Sequence, residues 1–156
     1  MNLFTLRRYF LMPALALLFF TSCKKDIYTS EIYIKKQWKV DLSTSKITPA
    51  IADRTDHAVA VLYLMDNNEL HYDVYFDQPL QNGDTAGAVK INLGAAGTNG
   101  VLLIDLKNPA FDANRESKGS LTIDAQTANA LISQSTYLVV VSQQQAAGLV
   151  RGQVNN

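Results

Sequence analysis

One cysteine, Cys23, stands in the whole sequence, so no intrachain disulfide can form and no cysteine-based zinc site can be assembled. Stability has to come from a packed core. Excess positive charge is also lacking: 14 basic side chains face 14 acidic ones, and Arg7 and Arg8 fall in a segment expected to be removed. The small net negative charge that remains speaks against nucleic acid and against broad binding to anionic lipid, both of which need concentrated basic surface. Only two histidines, His57 and His71, are present. No internal repeat at a fixed period is visible, and Gln143-Gln144-Gln145 is too short to count as low complexity. The apolar run Tyr9 to Phe20 would cover about 18 Å as a helix, short of a hydrocarbon core near 30 Å, and so does not span a membrane comfortably.

That run instead reads as the centre of a signal peptide, with Arg7 and Arg8 as its positive start. The following Phe20-Thr21-Ser22-Cys23 resembles the bacterial lipobox, in which small residues precede a cysteine that is acylated and becomes the new N-terminus. Thr21 and Ser22 fit the small positions, whereas Phe20 departs from the usual Leu. The resemblance implies lipidation of Cys23, with palmitate-type chains holding the protein on a membrane. Each buried methylene contributes about 0.8 kcal/mol, so two or more chains make a lasting anchor. Lys24-Lys25-Asp26 opens a short charged tether, loosely similar to sequences that follow the cysteine in lipoproteins of the outer membrane surface. The expected organisation is a signal peptide over 1–22, the lipidated cysteine and linker over 23–34, and one folded domain over 35–156.

With 47% hydrophobic and 18% charged residues, the mature part has the composition of a packed domain. From Ile32 onward, short segments rich in Val, Ile, Leu and Tyr alternate with Asn, Gly, Asp and Pro clusters. This spacing predicts strands near 35–43, 57–66, 69–77, 86–93, 100–107, 117–123, 135–142 and 147–154. In Glu69–Asp77, Leu70, Tyr72, Val74 and Phe76 share one face, and His71, Asp73, Tyr75 and Asp77 the other. His57–Met65 is apolar on both faces, which predicts a central strand covered on each side. A two-residue turn at Asn67-Asn68 would set Leu64 against His71 and His57 against Gln78. The two histidines would then lie over 20 Å apart at about 3.3 Å per residue, too far to share a metal. Asp124 to Ser133 breaks the pattern, with Ala128, Leu131 and Ile132 at helical spacing behind a capping aspartate.

The order of these parts resembles the CHRD (chordin-type) domain from about Trp38 to Val154. The matches are the Lys46-Ile47-Thr48-Pro49 turn, the strand Tyr72-Asp73-Val74-Tyr75-Phe76, and the Gly97-Thr98-Asn99-Gly100-Val101 turn. Further on come Gly119-Ser120-Leu121-Thr122-Ile123, Tyr137-Leu138-Val139-Val140 and the closing Gly148-Leu149-Val150-Arg151-Gly152-Gln153-Val154. The last is similar to the family's terminal Gly-x-Ile-Arg-Gly-Gln-Leu. Members usually carry His-x-His in the strand before the Gly-Asn-Gly turn, and Lys90 and Asn92 occupy those places here. Two imidazoles on one strand face suit a metal ion, whereas an ammonium repels a cation and an amide is a poor ligand. No metal or other cofactor is therefore expected.

Other chemistry finds little footing. Asp53, Asp56, Asp66, Asp73 and Asp77 cluster in sequence without the spacing of a calcium loop, and a solvated outer face is expected for them. No serine sits in a nucleophile elbow. The loop Gly94 to Gly100 lacks the helix and lysine of a phosphate cradle and reads as a turn. Arg151, flanked by small residues, is expected to form a buried ion pair or a recognition fork, with a structural role favoured. The reading is an all-β, antiparallel Greek-key β-sandwich, immunoglobulin-like or superoxide-dismutase-like, with one short helix. It would serve as a non-catalytic envelope module, membrane-bound through its lipid, recognising an envelope protein or glycan through exposed aromatics such as Tyr63 or Tyr75. The alternative is a degenerate or active metal-binding enzyme of the superoxide-dismutase type.

Overall fold

Alternating burial along the strands dictates the architecture. The computed structural model describes residues 31–155, so the expected signal peptide, Cys23 and most of the linker lie outside the described residues. In chain order come β1 (Ile34–Ser43), β2 (His57–Met65), β3 (Glu69–Phe76), β4 (Ala86–Leu93), β5 (Leu102–Asp105), β6 (Glu116–Thr122), α1 (Ala125–Ser133), β7 (Thr136–Ser142) and β8 (Val150–Asn155). All pairings are antiparallel, in the order β5-β4-β7-β8-β1-β2-β3-β6. Among the described residues the all-β class and one short α-helix agree with the sequence reading.

The sheet is continuous, but its middle is thin. β8 and β1 register through a single pair, Arg151 with Ser43. Two four-stranded halves thus meet at a seam, and one core gathers Val40, Leu42, Leu62, Leu64, Leu70 and Val74 from one half with Ile91, Leu138 and Val140 from the other. A core fed from both halves requires the sheet to curl around it, in sandwich fashion. Burying each such Leu or Ile contributes about 1.5–3 kcal/mol. The segment after β5 bridges the free edges. Val89 N–H donates to Asn108 Oδ1 (2.8 Å), Ser117 Oγ donates to Pro109 O (2.7 Å), and Phe111 meets Phe76 edge-on at 5.4 Å.

The β2–β3 hairpin corrects the expected register by one residue. Its loop holds three residues, Asp66 to Asn68: Asn68 N–H donates to Met65 O (3.1 Å) and Asn68 takes φ 62°. A turn closed by one left-handed residue is the usual three-residue hairpin, and only the second asparagine is left-handed. Tyr63 therefore opposes His71, Leu64 opposes Leu70, and Ala58 opposes Phe76. The expectation that β2 is covered on both faces also fails. Ala58, Ala60, Leu62 and Leu64 are buried, whereas Val59, Val61, Tyr63 and Met65 are half-exposed on the outer face.

Asp124 caps α1 by accepting from Thr127 N–H (2.8 Å). Ala128, Ala130 and Leu131 are buried, and Ile132 packs at the core's margin. Asn155 ties the helix end to the sheet. Its Nδ2 donates to Leu131 O and to Ile132 O, and its Oδ1 accepts from Trp38 Nε1 (3.0 Å). Among the described residues no helix is long and apolar enough to cross a membrane.

Candidate functional site

The described residues form three polar centres and one open groove. Lys90 and Asn92 lie on the outer face of β4, either side of the buried Ile91. Lys90 stands opposite Asp105 on β5, and Asn92 Nδ2 donates to Tyr137 Oη (3.1 Å). Among the described residues no three His, Cys, Asp or Glu side chains converge to hold a metal ion.

Tyr137 is the hub of this face. Its Oη also accepts from Gly100 N–H (3.1 Å), and the Arg151 guanidinium lies 3.4 Å over its ring. Arg151 Nη2 donates to Ala95 O (3.0 Å), Gln153 Nε2 donates to Gly94 O (2.9 Å), and Asn99 Nδ2 donates to Thr48 O (2.8 Å). The loop after β4 holds the expected turn, closed by Thr98 N–H donating to Ala95 O (3.2 Å), and these bonds pin it as a flap across β7 and β8. It hides Tyr137 and Val139, although both point away from the core. Arg151 itself is only 3% exposed. The expected buried ion pair is absent: no carboxylate among the described residues pairs with Arg151, and cation–π stacking with hydrogen bonds to neutral oxygens takes its place. Burial pulls its pKa below the usual guanidinium range, and Tyr137 only partly offsets this.

Packing accounts for the closing motif. Gly148 has φ +145°, and a Cβ there would lie 2.9 Å from Val139 Cγ2. Gly152 lies against β1, where a Cβ would collide with the Asp41 carbonyl oxygen. Arg151 and Gln153 hold the flap. The motif is thus a seam-and-flap device.

A second centre escaped the sequence reading. Arg54 Nε donates to Asp56 Oδ2 (2.7 Å) and Nη1 to Asp84 Oδ2 (2.8 Å), with all three side chains at most 3% exposed. Asp84 also accepts from Ser142 Oγ (2.6 Å) and from Gln144 N–H (3.1 Å), and Asp56 Oδ1 accepts from Gln81 N–H (2.9 Å). Three loops are knotted together. Burial alone would push Asp84 up, but the hydrogen bonds from Ser142, Gln144 and Arg54 hold it below the usual carboxylate range. Asp56 therefore corrects the expectation of a solvated acidic face. Asp73 departs from it too, being half-buried, with its pKa raised by burial and by Glu116. Asp53, Asp66 and Asp77 are exposed as expected.

The third centre is His57, clamped between Asp41 (Nε2 to Oδ1, 2.6 Å) and Asp77 (Nδ1 to Oδ2, 3.1 Å). His71 sits apart, 3.4 Å from Glu69. Lys46 and His57 together pull Asp41 down to about 2, and the bond to Asp41 raises His57. The His57 contribution is complete below the ordinary imidazole value of 6.5 and is lost as pH climbs through the raised value. The Asp41 contribution is complete above 3.8 and is lost as pH falls towards about 2. Both groups are more than a third exposed, so the effect stays below about 1 kcal/mol. Urea midpoints measured from pH 6 to pH 9 should fall for the native chain and flatten for His57→Gln. An unchanged slope in the variant would contradict the clamp.

The groove lies on the outer face of β2, β3 and β6. It is open, mostly apolar and about 770 Å³ in volume, and Ile34, Tyr63, Met65 and His71 line it with Lys118 and Ser120. Beneath it Tyr72 lies over Gly119, where a Cβ would come within 2.6 Å of the phenol oxygen. Burial raises the Tyr72 pKa. Tyr75 is 39% exposed farther along β3, and Ile32, Tyr33 and Ile34 are exposed at the start of β1. The two aromatics singled out by sequence, Tyr63 and Tyr75, thus share the outer face.

Comparison with known families finds the CHRD domain over residues 38–154. No curated protein and no solved structure matches the chain.

Proposed function

The chain belongs to the CHRD-domain family, and from that premise we propose that it is a lipid-anchored, non-catalytic binding module of the bacterial cell envelope. The groove on the β2–β3–β6 face carries the reading. It offers apolar contact from Ile34, Tyr63 and Met65 beside polar groups from His71, Lys118 and Ser120. A tyrosine with its apolar body and polar tip suits recognition of either a protein segment or a sugar ring. The tether supplies location: Cys23 takes the lipid, the linker over 24–34 follows, and the module stays beside the outer membrane. Such a protein works by holding a partner at the envelope, with no need for a reacting group.

A photo-reactive amino acid placed at Tyr63 tests this in cells. We expect one discrete crosslinked adduct from Tyr63 and none from Val101, which is 68% exposed elsewhere on the module. Equal adducts from both positions, or none from Tyr63, would contradict the groove as the binding surface.

A further inference from the structure

We propose that the cavity beside Arg151 is a binding site for a small monocarboxylate. The molecule contains its own comparison. Arg54 and Arg151 are both buried, yet Arg54 has two carboxylates within 2.8 Å, and Arg151 has none among the described residues. A guanidinium withdrawn from water without a counter-ion is costly, and stacking on Tyr137 offsets this only in part. Its five N–H donors are also underused. One bond goes to Ala95 O (3.0 Å) and a long one to Asn99 Oδ1 (3.4 Å), which leaves donors of the fork free for a planar carboxylate.

The space for such a ligand is present. A cavity of about 230 Å³ is lined by Arg151 and Gln153 from β8, Ser45, Lys46 and Thr48 from the turn after β1, and Ala96 from the flap. Lys46 is already neutralised by Asp41 at 2.6 Å, so the cavity offers one uncompensated positive charge. One charge favours a monoanion over a phosphate dianion. The volume lies below the roughly 300 Å³ at which pockets for drug-sized molecules begin, which favours a small acid. Ser45 and Thr48 bring hydroxyl-bearing side chains to the lining, Gln153 shapes the wall with both Nε2 donors spent on Gly94 O and Asn155 O, and Ile47 and Ala96 offer apolar contact to a short alkyl group. The site is separate from the outer groove and does not depend on it.

Thermal unfolding of the intact chain in detergent, titrated with propionate at constant ionic strength against chloride, tests the site. A ligand that binds only the folded state raises Tm in a saturable way. We expect that rise for the native chain. Ala96→Leu, which fills the cavity from an exposed flap position and leaves Arg151 in place, should keep the Tm in chloride and abolish the propionate response. Arg151→Lys, which keeps the charge and loses the fork, should weaken propionate by about tenfold. A flat propionate titration, a response that survives Ala96→Leu, or tighter binding of phosphate than of propionate would each overturn the proposal.

Discussion

Replacing Arg54 by alanine should cost about 3–5 kcal/mol of stability, the range for stranding a buried charge. The substitution leaves Asp56 and Asp84 with side chains at most 1% exposed and no cation between them. Their remaining hydrogen bonds come from neutral donors: Gln81 N–H to Asp56, and Ser142, Thr85 and Gln144 to Asp84. Neutral donors solvate a carboxylate less completely than a guanidinium that also carries charge. The damage should spread beyond one contact, because the network joins the loop before β2, the loop before β4 and the turn after β7. Urea denaturation of the intact chain gives the number directly. Arg54→Lys should fall between native and alanine, since it keeps charge but cannot fork to two acids. A loss under about 1 kcal/mol for Arg54→Ala would mean that the carboxylates find water, contrary to the burial described.

The second large effect is expected at Gly152. Its missing Cβ is occupied space: a methyl group would overlap the Asp41 carbonyl and stand 2.6 Å from Val40 Cγ1. Backbone cannot rotate away as a side chain can, so β8 must lift from β1 at the thinnest part of the sheet. Gly152→Ala should cost about 3 kcal/mol, the upper end for overpacking. Gly87→Ala is the control, because its added Cβ would meet Val141 Cγ2 at an ordinary 3.5 Å. That change should stay within about 0.5 kcal/mol of native. Equal losses at the two positions would show that the seam is not special.

The strands were legible because one face of each is buried, and burial on one face of a strand has a period of two. Leu70, Tyr72, Val74 and Phe76 announced β3, whereas β2 is apolar at odd and even positions alike and shows its alternation only in burial. Even-numbered residues of both strands must share a face, which an even pairing such as Leu64 with Leu70 satisfies and Leu64 with His71 does not. The tempting Asn-Asn turn obscured this, since turn composition alone does not say how many residues a loop holds. α1 was legible from its cap and its spacing. The polar centres were not. Arg54 and Asp84 are thirty residues apart in irregular loops, where no period links partners. Arg151 stood out by its small neighbours, but no periodicity links it to its stacking partner Tyr137 on a different strand. Functional and strained sites are where local rules are expected to give way.

The envelope role rests on where the module is held, and lipid on Cys23 is its premise. Growing cells with an alkyne-tagged fatty acid and resolving the labelled protein measures that directly. The native chain should carry the label and lack Met1 to Ser22, and Cys23→Ser should lose the label while its module unfolds at the native temperature. An unlabelled native protein that keeps Met1 and a free thiol would contradict the anchored module.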